Sequence, residues 1–241
     1  MKFLRFTIRS LFITPYMFFR YLLSANKIIR EDKKSDQEKY NFAYGMVNFV
    51  RRAFSTKTDY YGLENIPSDG GYIMYSNHQG KYDALGIILA IKKPFSILWD
   101  IRSAKQPITK QVSMLLKCEV IDTSQKQNFI PSMERIAENA QKGRPYLIFP
   151  EGDYTNNKNN LQEFQTGCFM TSIISKTPVV PVVIYDSYKS MNTNFIFGRV
   201  RTQVHFLEPI TYDQYESIGR KGLAVLVKER MQQKLDEIKK N

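Results

Sequence analysis

Short apolar runs alternate with stretches of helical periodicity from residue 72 onward. The runs are rich in β-branched and aromatic residues, which favour strands. They predict strands at residues 72–76, 95–99, 119–121, 146–149, 179–184 and 200–206. The intervening stretches predict helices at residues 83–92, 108–116, 128–141, 163–175 and 222–239. Alternating strands and helices indicate an α/β fold, with a mostly parallel sheet flanked by helices.

The first 55 residues also have helical periodicity, in two segments. Residues 1–25 are rich in Phe, Leu, Ile and Tyr, and residues 41–54 resume an apolar helical pattern after the highly charged segment 30–39. This pattern predicts an N-terminal helical hairpin (residues 1–55) ahead of an α/β domain (residues 56–241). On a helical wheel, the first segment has basic residues on one side and apolar residues opposite: Lys2, Arg5, Arg9 and Arg20 against Leu4, Leu11, Phe18 and Leu22.

An amphipathic, basic helix of this kind is typical of a segment that lies in a membrane interface. A transmembrane span needs about 20 predominantly apolar residues, and Arg20 and Pro15 interrupt the run. A cleaved signal peptide would need a clean apolar core and a small-residue cleavage site, which the segment lacks. A further hypothesis is that the apolar side packs on the rest of the chain. We expect a monotopic or peripheral association with a membrane.

Composition narrows the classes of partner. The chain has 35 Lys and Arg against 23 Asp and Glu, a formal net charge of +12, which favours acidic partners: an anionic membrane surface, an acidic carrier protein or nucleic acid. Nucleic acid is not expected, because the basic residues are dispersed and no nucleic-acid-binding motif is present. The two histidines and two cysteines have no metal-binding spacing, so no metal is expected. Cys118 and Cys168 are predicted to be buried free thiols, as in a reducing compartment.

The most informative motif follows the first predicted strand. Asn77 and His78 come directly after the apolar run, and Asp83 begins the next helical pattern. An imidazole becomes an effective general base when a carboxylate fixes its tautomer. Because the chain has no Gly-x-Ser-x-Gly, the pair suggests a base that activates a hydroxyl of the substrate itself. The competing interpretation is that Asp83 is an ordinary helix N-cap.

A second motif, Phe-Pro-Glu-Gly at residues 149–152, again follows a predicted strand. The carboxyl ends of parallel strands gather at one edge of a sheet, where active sites of such folds lie. Glu151 is therefore expected near His78. The competing interpretation is that Glu151 is a strand-end carboxylate that caps the following turn.

With these motifs the chain resembles the glycerolipid acyltransferases typified by 1-acylglycerol-3-phosphate acyltransferase. The family's blocks occur in its order and at its usual spacings, between about residues 60 and 210. They are the lead-in at residues 62–67, the Asn-His-x4-Asp set of Asn77, His78 and Asp83, the Phe-Pro-Glu-Gly block at 149–152, and the valine-rich strand around Pro181. The family's membrane-facing two-helix motif is similar to the predicted N-terminal hairpin.

The resemblance implies an O-acyltransferase of phospholipid biosynthesis that acts at the cytoplasmic face of a membrane. It would move a fatty acyl group from acyl-CoA or acyl carrier protein to a lysolipid hydroxyl, by default that of 1-acylglycerol-3-phosphate, with no cofactor. It also implies roles for individual residues. His78 and Asp83 would form the catalytic pair, Asn77 and Glu151 would serve substrate binding, and the backbone around Gly152 would face the developing oxyanion.

The sequence departs from the family at three positions where it usually carries basic residues that bind the acceptor phosphate. Asp100, Thr123 and Tyr154 stand there instead. Arg102 and Lys105 are the first candidates to bind a phosphate in their place. Otherwise the acceptor is a lysophospholipid or another membrane alcohol without a terminal phosphomonoester. Two further hypotheses are a non-catalytic membrane-binding relative and an esterase in which His78 activates water.

Overall fold

The computed structural model of the chain describes residues 15–16, 18–31, 33–191 and 199–240. Within them one seven-stranded sheet has the order β1-β7-β6-β2-β5-β3-β4. All neighbouring strands are parallel except β6 and β7. The prediction of a mostly parallel sheet is therefore confirmed. The strands are β1 Thr56–Tyr61, β2 Ile73–Ser76, β3 Ser96–Asp100, β4 Glu119–Ile121, β5 Tyr146–Ile148, β6 Val179–Tyr185 and β7 Val200–Phe206.

Helices cover both faces of the sheet in the described residues. They are α1 Leu23–Arg30, α2 Asp36–Ala53, α3 Asp83–Ala90, α4 Ile101–Ala104, α5 Pro107–Leu115, α6 Phe129–Gln141, α7 Met170–Ser175, α8 Tyr212–Tyr215 and α9 Gly219–Lys240. A π-helical turn, Phe18–Leu22, precedes α1.

The central strands are buried on both faces, because their alternating side chains enter two different apolar cores. Met74 of β2 and Val182 of β6 pack in the core that includes α2, α3 and α5. Tyr75 and Val183, their neighbours in sequence, pack in the core formed with α6 and α9. The strands therefore read as continuous apolar runs in the sequence, without the alternation of a half-exposed sheet.

The two N-terminal helices share the first of these cores with the sheet. Tyr40 and Met46 of α2 are buried there, and so is Ala25 of α1. Ser35 caps α2 and forms a capping box with Glu38, which explains why the helix begins before the predicted residue 41. Residues 1–14, most of the predicted interfacial helix, lie outside the described residues. None of the described helices is both long enough and apolar enough to cross a membrane.

Several elements differ from the sequence prediction, and the short helices α4 and α8 are among those it lacked. Strand β1 was missed because its sequence is polar; it is an edge strand that pairs only with β7. The helix predicted at residues 163–175 begins late, with a 3-10 turn at Thr166–Phe169 ahead of α7. The preceding residues are extended instead, and the amide of Gln165 donates to the carbonyl of Pro150 at 2.8 Å. This hydrogen bond to the Phe-Pro-Glu-Gly block takes the place of the first helical turns that the sequence predicted.

Candidate active site

The site lies where β2, β5 and β6 end side by side. Strand β2 pairs with β5 on one side and with β6 on the other, all three parallel. Asn77 follows β2 and exchanges two hydrogen bonds with the backbone of Ile184, from Nδ2 at 2.9 Å and to Oδ1 at 2.7 Å. The Asn77 amide is thus buried and occupied by β6. Asn77 therefore positions the loop that follows β2. Its predicted role in substrate binding stays a prediction.

His78 is the next residue, and its ring is held by Asp83. The Nδ1 atom lies 2.6 Å from Oδ2 of Asp83, whose carboxylate is fully buried while the imidazole is partly exposed. The same oxygen accepts the backbone amides of Gln79 and Gly80. Asp83 is the first residue of α3, the N-cap is Tyr82, and the carboxylate binds amides that precede the helix. The interpretation of Asp83 as an ordinary N-cap is therefore wrong.

Two aromatic rings enclose the imidazole. The ring of Phe149 stacks on His78 with centroids 4.4 Å apart, and the ring of Tyr154 meets it edge to face at 4.7 Å. Since Nδ1 is bound to Asp83, the ring nitrogen that remains for a substrate is Nε2. The sequence motif identified Phe149 as part of a block but gave no reason to place it against the histidine.

Glu151 lies beside this pair and is buried. Its Oε2 accepts from Nε2 of Gln162 at 2.6 Å, whereas Oε1 is buried with no hydrogen-bond partner among the described residues. Burial raises the pKa of the Glu151 carboxyl above its ordinary value of 4.5, although the hydrogen bond from Gln162 acts in the opposite direction. A buried carboxylate oxygen without a partner is costly. Glu151 is therefore more than a turn cap, because its carboxyl also interacts with the backbone and the imidazole of His78, which favour its charged form.

Gly152 has a conformational role. It has φ +78°, and a Cβ there would collide with the side chain of Gln165, so a glycine is required. Its amide donates to the carbonyl of Phe149 at 3.1 Å. That N–H group already has a partner, and the role of the backbone around Gly152 toward a developing oxyanion stays a prediction.

Of the three positions that lack the family's basic residues, Tyr154 contacts His78, while Asp100 and Thr123 are hydrogen-bonded to each other. Asp100 accepts from the hydroxyl of Thr123 at 2.8 Å and from the side chain and amide of Arg102 at 2.8 Å. Burial alone would raise the pKa of Asp100, but these hydrogen bonds outweigh it and hold the pKa below its ordinary value. Arg102 also lies 3.7 Å from Asp153. Arg102, a predicted phosphate ligand, is thus already shared by two carboxylates.

Lys105 is the other candidate phosphate ligand. It is exposed and forms the C-cap of α4. Its role toward a substrate, like that of Arg102, stays a prediction.

Sequence reasoning missed Gln79 and Ser187, two buried residues that bind the Asp83 loop. Ser187 begins a 3-10 turn after β6 and donates its hydroxyl to Oδ1 of Asp83. Gln79 accepts the amide of Ser187 at 2.9 Å and donates to the carbonyl of Ile184 at 2.9 Å. The only signal in the sequence was position: both residues follow a strand that ends at this edge of the sheet.

Cys118 and Cys168 have free thiols, as predicted. Burial raises the pKa of the Cys118 thiol to about 12 and that of Cys168 further still. Neither is therefore a thiolate at neutral pH, and neither takes part in the site.

The chain is similar to known acyltransferases. A family model described as "Acyltransferase" matches residues 57–185, more than half of the chain. The 1-acyl-sn-glycerol-3-phosphate acyltransferase of Escherichia coli is 25% identical over 194 residues, which are 78% of this chain and 76% of the relative. The enzyme of the same name from Borreliella burgdorferi is 24% identical over 182 residues, 74% of this chain and 71% of the relative.

One solved structure is similar over the whole chain. It is the crystal structure of the 1-acyl-sn-glycerophosphate (LPA) acyltransferase PlsC from Thermotoga maritima, with a TM-score of 0.77 and 19% sequence identity, and the match covers 100% of this chain and 98% of that one. At this identity the likeness shows that the two proteins share a fold.

Proposed function

The chain belongs to the acyltransferase family, and we propose that it transfers a fatty acyl group from an acyl thioester directly to the hydroxyl of a lysolipid. The acceptor we propose is 1-acylglycerol-3-phosphate, which would make the product phosphatidate. The names of the E. coli and B. burgdorferi relatives support this acceptor. Acyl transfer itself follows from membership of the family.

The observation that carries the proposal is the contact between His78 and Asp83. Nδ1 of His78 lies 2.6 Å from a buried carboxylate oxygen, so the neutral ring has its proton on Nδ1 and its lone pair on Nε2. The chain has no Gly-x-Ser-x-Gly, so an acyl-enzyme formed on a nucleophile elbow is not expected. A base without an enzyme nucleophile acts on a hydroxyl that the substrate brings.

The reaction would proceed in two proton transfers. Nε2 of His78 takes the proton of the acceptor hydroxyl as that oxygen attacks the carbonyl carbon of the thioester. Asp83 stabilises the imidazolium that forms. The tetrahedral intermediate then collapses, the carbon–sulfur bond breaks, and the imidazolium returns its proton to the leaving thiolate. The products are an ester and a free thiol, and the histidine is neutral again.

Glu151 is proposed to orient the acceptor. Its Oε1 atom is buried without a partner among the described residues, and a second hydroxyl or another donor of the lysolipid would satisfy it. The rings of Phe149 and Tyr154, which pack against the imidazole, would hold it in place while the acceptor binds. The donor would be acyl-CoA or acyl carrier protein.

A second acceptor class is favoured by the charges near the site. Asp100 and Asp153 flank Arg102, and an arginine between two carboxylates presents little net positive charge to a phosphomonoester dianion. A lysophospholipid whose phosphate is a diester, or another membrane alcohol, would be less affected. We keep it as the alternative to 1-acylglycerol-3-phosphate.

We further propose that the N-terminal helices contact an anionic membrane surface on its cytoplasmic side. Tyr16 and Leu23 are 48% and 55% exposed, and Phe19 between them is 67% exposed. Phe19 and Leu23 are four residues apart and therefore lie about one helical turn from each other. Lys27 and Arg30 follow in α1. Exposed aromatic residues beside basic ones are typical of peripheral membrane segments.

A single assay tests the proposed reaction. The full chain is incubated with labelled acyl-CoA or acyl carrier protein, with and without each of a panel of lysolipids. Transfer predicts that thiol release depends on the lysolipid and that the label appears in a diacyl lipid. Release of free fatty acid without an acceptor would instead identify a thioesterase, and an unchanged thioester with every acceptor would identify a non-catalytic relative.

A further inference from the structure

We infer that Ser187 is a positioning residue of the reaction: its hydroxyl holds Asp83 and, through Asp83, fixes the orientation of His78. This inference rests on the proposed role of His78 as the general base. Ser187 is 104 residues away from Asp83 in the sequence and lies in none of the motif blocks.

The two oxygens of the Asp83 carboxylate have separate partners. Oδ2 accepts from His78 and from the amides of Gln79 and Gly80. Oδ1 accepts from the hydroxyl of Ser187. Because an ionised carboxylate only accepts, the serine must be the donor. With both oxygens bound, the carboxylate cannot turn about its Cβ–Cγ bond without breaking hydrogen bonds on both sides.

Ser187 is itself held by several contacts. Its amide donates to Oε1 of Gln79 at 2.9 Å, which ties it to the loop that carries His78. Asp186, directly before it, has φ +62°. The amide of Asp186 donates to Oδ1 of Asn159 at 2.8 Å, and its carboxylate accepts from Asn159 at 2.9 Å and from Lys189 at 2.6 Å. Fixing a non-glycine residue in this conformation costs energy that these contacts offset, and the result is a hydroxyl aimed at the carboxylate.

Loss of the hydroxyl has two consequences for the base. Oδ1 of Asp83 would be buried without a partner, so the carboxylate would no longer be held in the orientation that binds Nδ1. The hydroxyl also donates a hydrogen bond that partly offsets the negative charge of Asp83. Without the hydroxyl, the carboxylate would stabilise the imidazolium more strongly, and His78 would be easier to protonate. The other titratable groups that face the pair are Glu151 and Tyr154, which interact with His78 and Asp83 respectively.

The experiment compares Ser187→Ala and Ser187→Cys with a matched control, Ser190→Ala. Ser190 is a buried serine that directly follows the same 3-10 turn, but its hydroxyl lies 2.7 Å from Thr56 Oγ1 and not against Asp83. Cysteine is close to serine in volume, but its thiol is a weak hydrogen-bond donor. If the alanine variant does not fold, the cysteine variant still tests the effect of losing the hydroxyl. Circular dichroism of each variant tests whether it is folded.

For both Ser187 variants we expect kcat to fall about tenfold, as for a lost hydrogen bond to a charged group, with KM for both substrates changed less than about twofold. The acid limb of the kcat/KM profile should move up by about 0.5–1 pH unit. Ser187→Thr, which keeps the hydroxyl, should restore part of the rate. The chain has only two histidines, so the Nδ1 proton resonance of His78 can be assigned and should shift in the Ser187 variants alone.

His78→Ala, measured in parallel, separates the role of the base from the role of the serine. If that variant keeps its activity, the proposed role of His78 fails. If it is inactive while the Ser187 variants match Ser190→Ala in kcat and in pH profile, only the positioning role of Ser187 is overturned.

Discussion

The ring of Tyr154 meets the imidazole of His78 edge to face, with the two centroids 4.7 Å apart. The resemblance to the family leads one to expect an arginine at this position, where it would bind the acceptor phosphate. The residue in its place supplies a neutral aromatic surface next to the base. Tyr154 is therefore in contact with the proposed general base, where it can alter the choice of acceptor.

We predict that the wild-type protein prefers lysophosphatidate over lysophosphatidylcholine only weakly, and that Tyr154→Arg increases this preference at least about tenfold through a charge-assisted hydrogen bond to the phosphate. The measurement is competition between the two acceptors in one assay. Tyr154→Phe is the control, because it adds no charge. A strong wild-type preference for lysophosphatidate that survives Arg102→Ala and Lys105→Ala would contradict this interpretation of the substituted positions.

We predict that His78→Ala lowers kcat by about 10²–10⁴-fold or more, the usual effect of removing a general base. Asp83→Asn should cost nearly as much, because the amide favours the wrong imidazole tautomer. Both variants should remain folded. His205→Gln, which alters the other histidine, serves as the control and should leave kcat within a few-fold. Activity of His78→Ala near the wild-type value would rule out the assignment.

We predict that Glu151→Gln raises the free energy of unfolding and weakens binding of the acceptor. Burial raises the pKa of this carboxyl, so the folded protein binds its proton more tightly than the unfolded chain does. The group's favourable contribution is then full below the unfolded pKa and is lost as the pH rises through the folded value. A neutral amide avoids that loss at about pH 7.5. Urea unfolding at this pH should show a higher free energy of unfolding for the variant, and its KM for the acceptor should rise about tenfold. A lower free energy of unfolding would contradict the prediction.

We predict that Phe19→Glu combined with Leu23→Glu weakens sedimentation with anionic vesicles at least about tenfold, because each side chain contributes about 1.5–3 kcal/mol when buried in the interface. High salt should weaken wild-type binding only in part, since it screens the basic residues but not apolar burial. Val225→Glu on α9 is the control, because Val225 is 56% exposed and Leu23 55%. Equal binding of the double variant and the control would exclude this face as the membrane contact.

We predict that His205 makes the protein less stable in mild acid. Burial lowers the pKa of His205 from 6.5 to about 4, with a smaller effect of Lys234 in the same direction and of Glu237 in the opposite one. The neutral ring stabilises the fold fully above the unfolded pKa of 6.5, and this contribution is lost as the pH falls toward 4. Between about pH 7.5 and pH 5 the loss is about 2 kcal/mol.

The check is urea unfolding at these two pH values for the wild type and for His205→Gln, whose side chain has no charge to gain. The variant should lack this part of the decline. The same pH dependence in both proteins would show that His205 is not its source.

Much of the fold could be predicted from the sequence, because the central strands are buried on both faces and thus read as apolar runs. β4 and β7 were predicted with their observed ends. The prediction failed where contacts distant in sequence decide the local structure. β1, with the sequence Thr-Lys-Thr-Asp-Tyr-Tyr, is a strand because β7 pairs with it, and the extended residues before Thr166 follow from the hydrogen bond of Gln165 to Pro150.

The site was predictable to the same extent. The pairing of His78 with Asp83 could be expected because the two residues are close in sequence at a strand end. The roles of Asn77 and Ser187 could not, since their partners are more than 100 residues away. Likewise the sequence could suggest Arg102 as a phosphate ligand but could not show that Asp100 and Asp153 flank it.

The two hydrogen bonds between Asn77 and Ile184 span 107 residues of the chain. Contacts at such separations close large loops, and they form late relative to local helices and turns. A partly folded chain can already have α3 and the turn around His78 and yet have no β6 to hold them in place. Catalytic competence should therefore return during refolding only when β6 has paired with β2, so that activity reports the formation of this long-range contact.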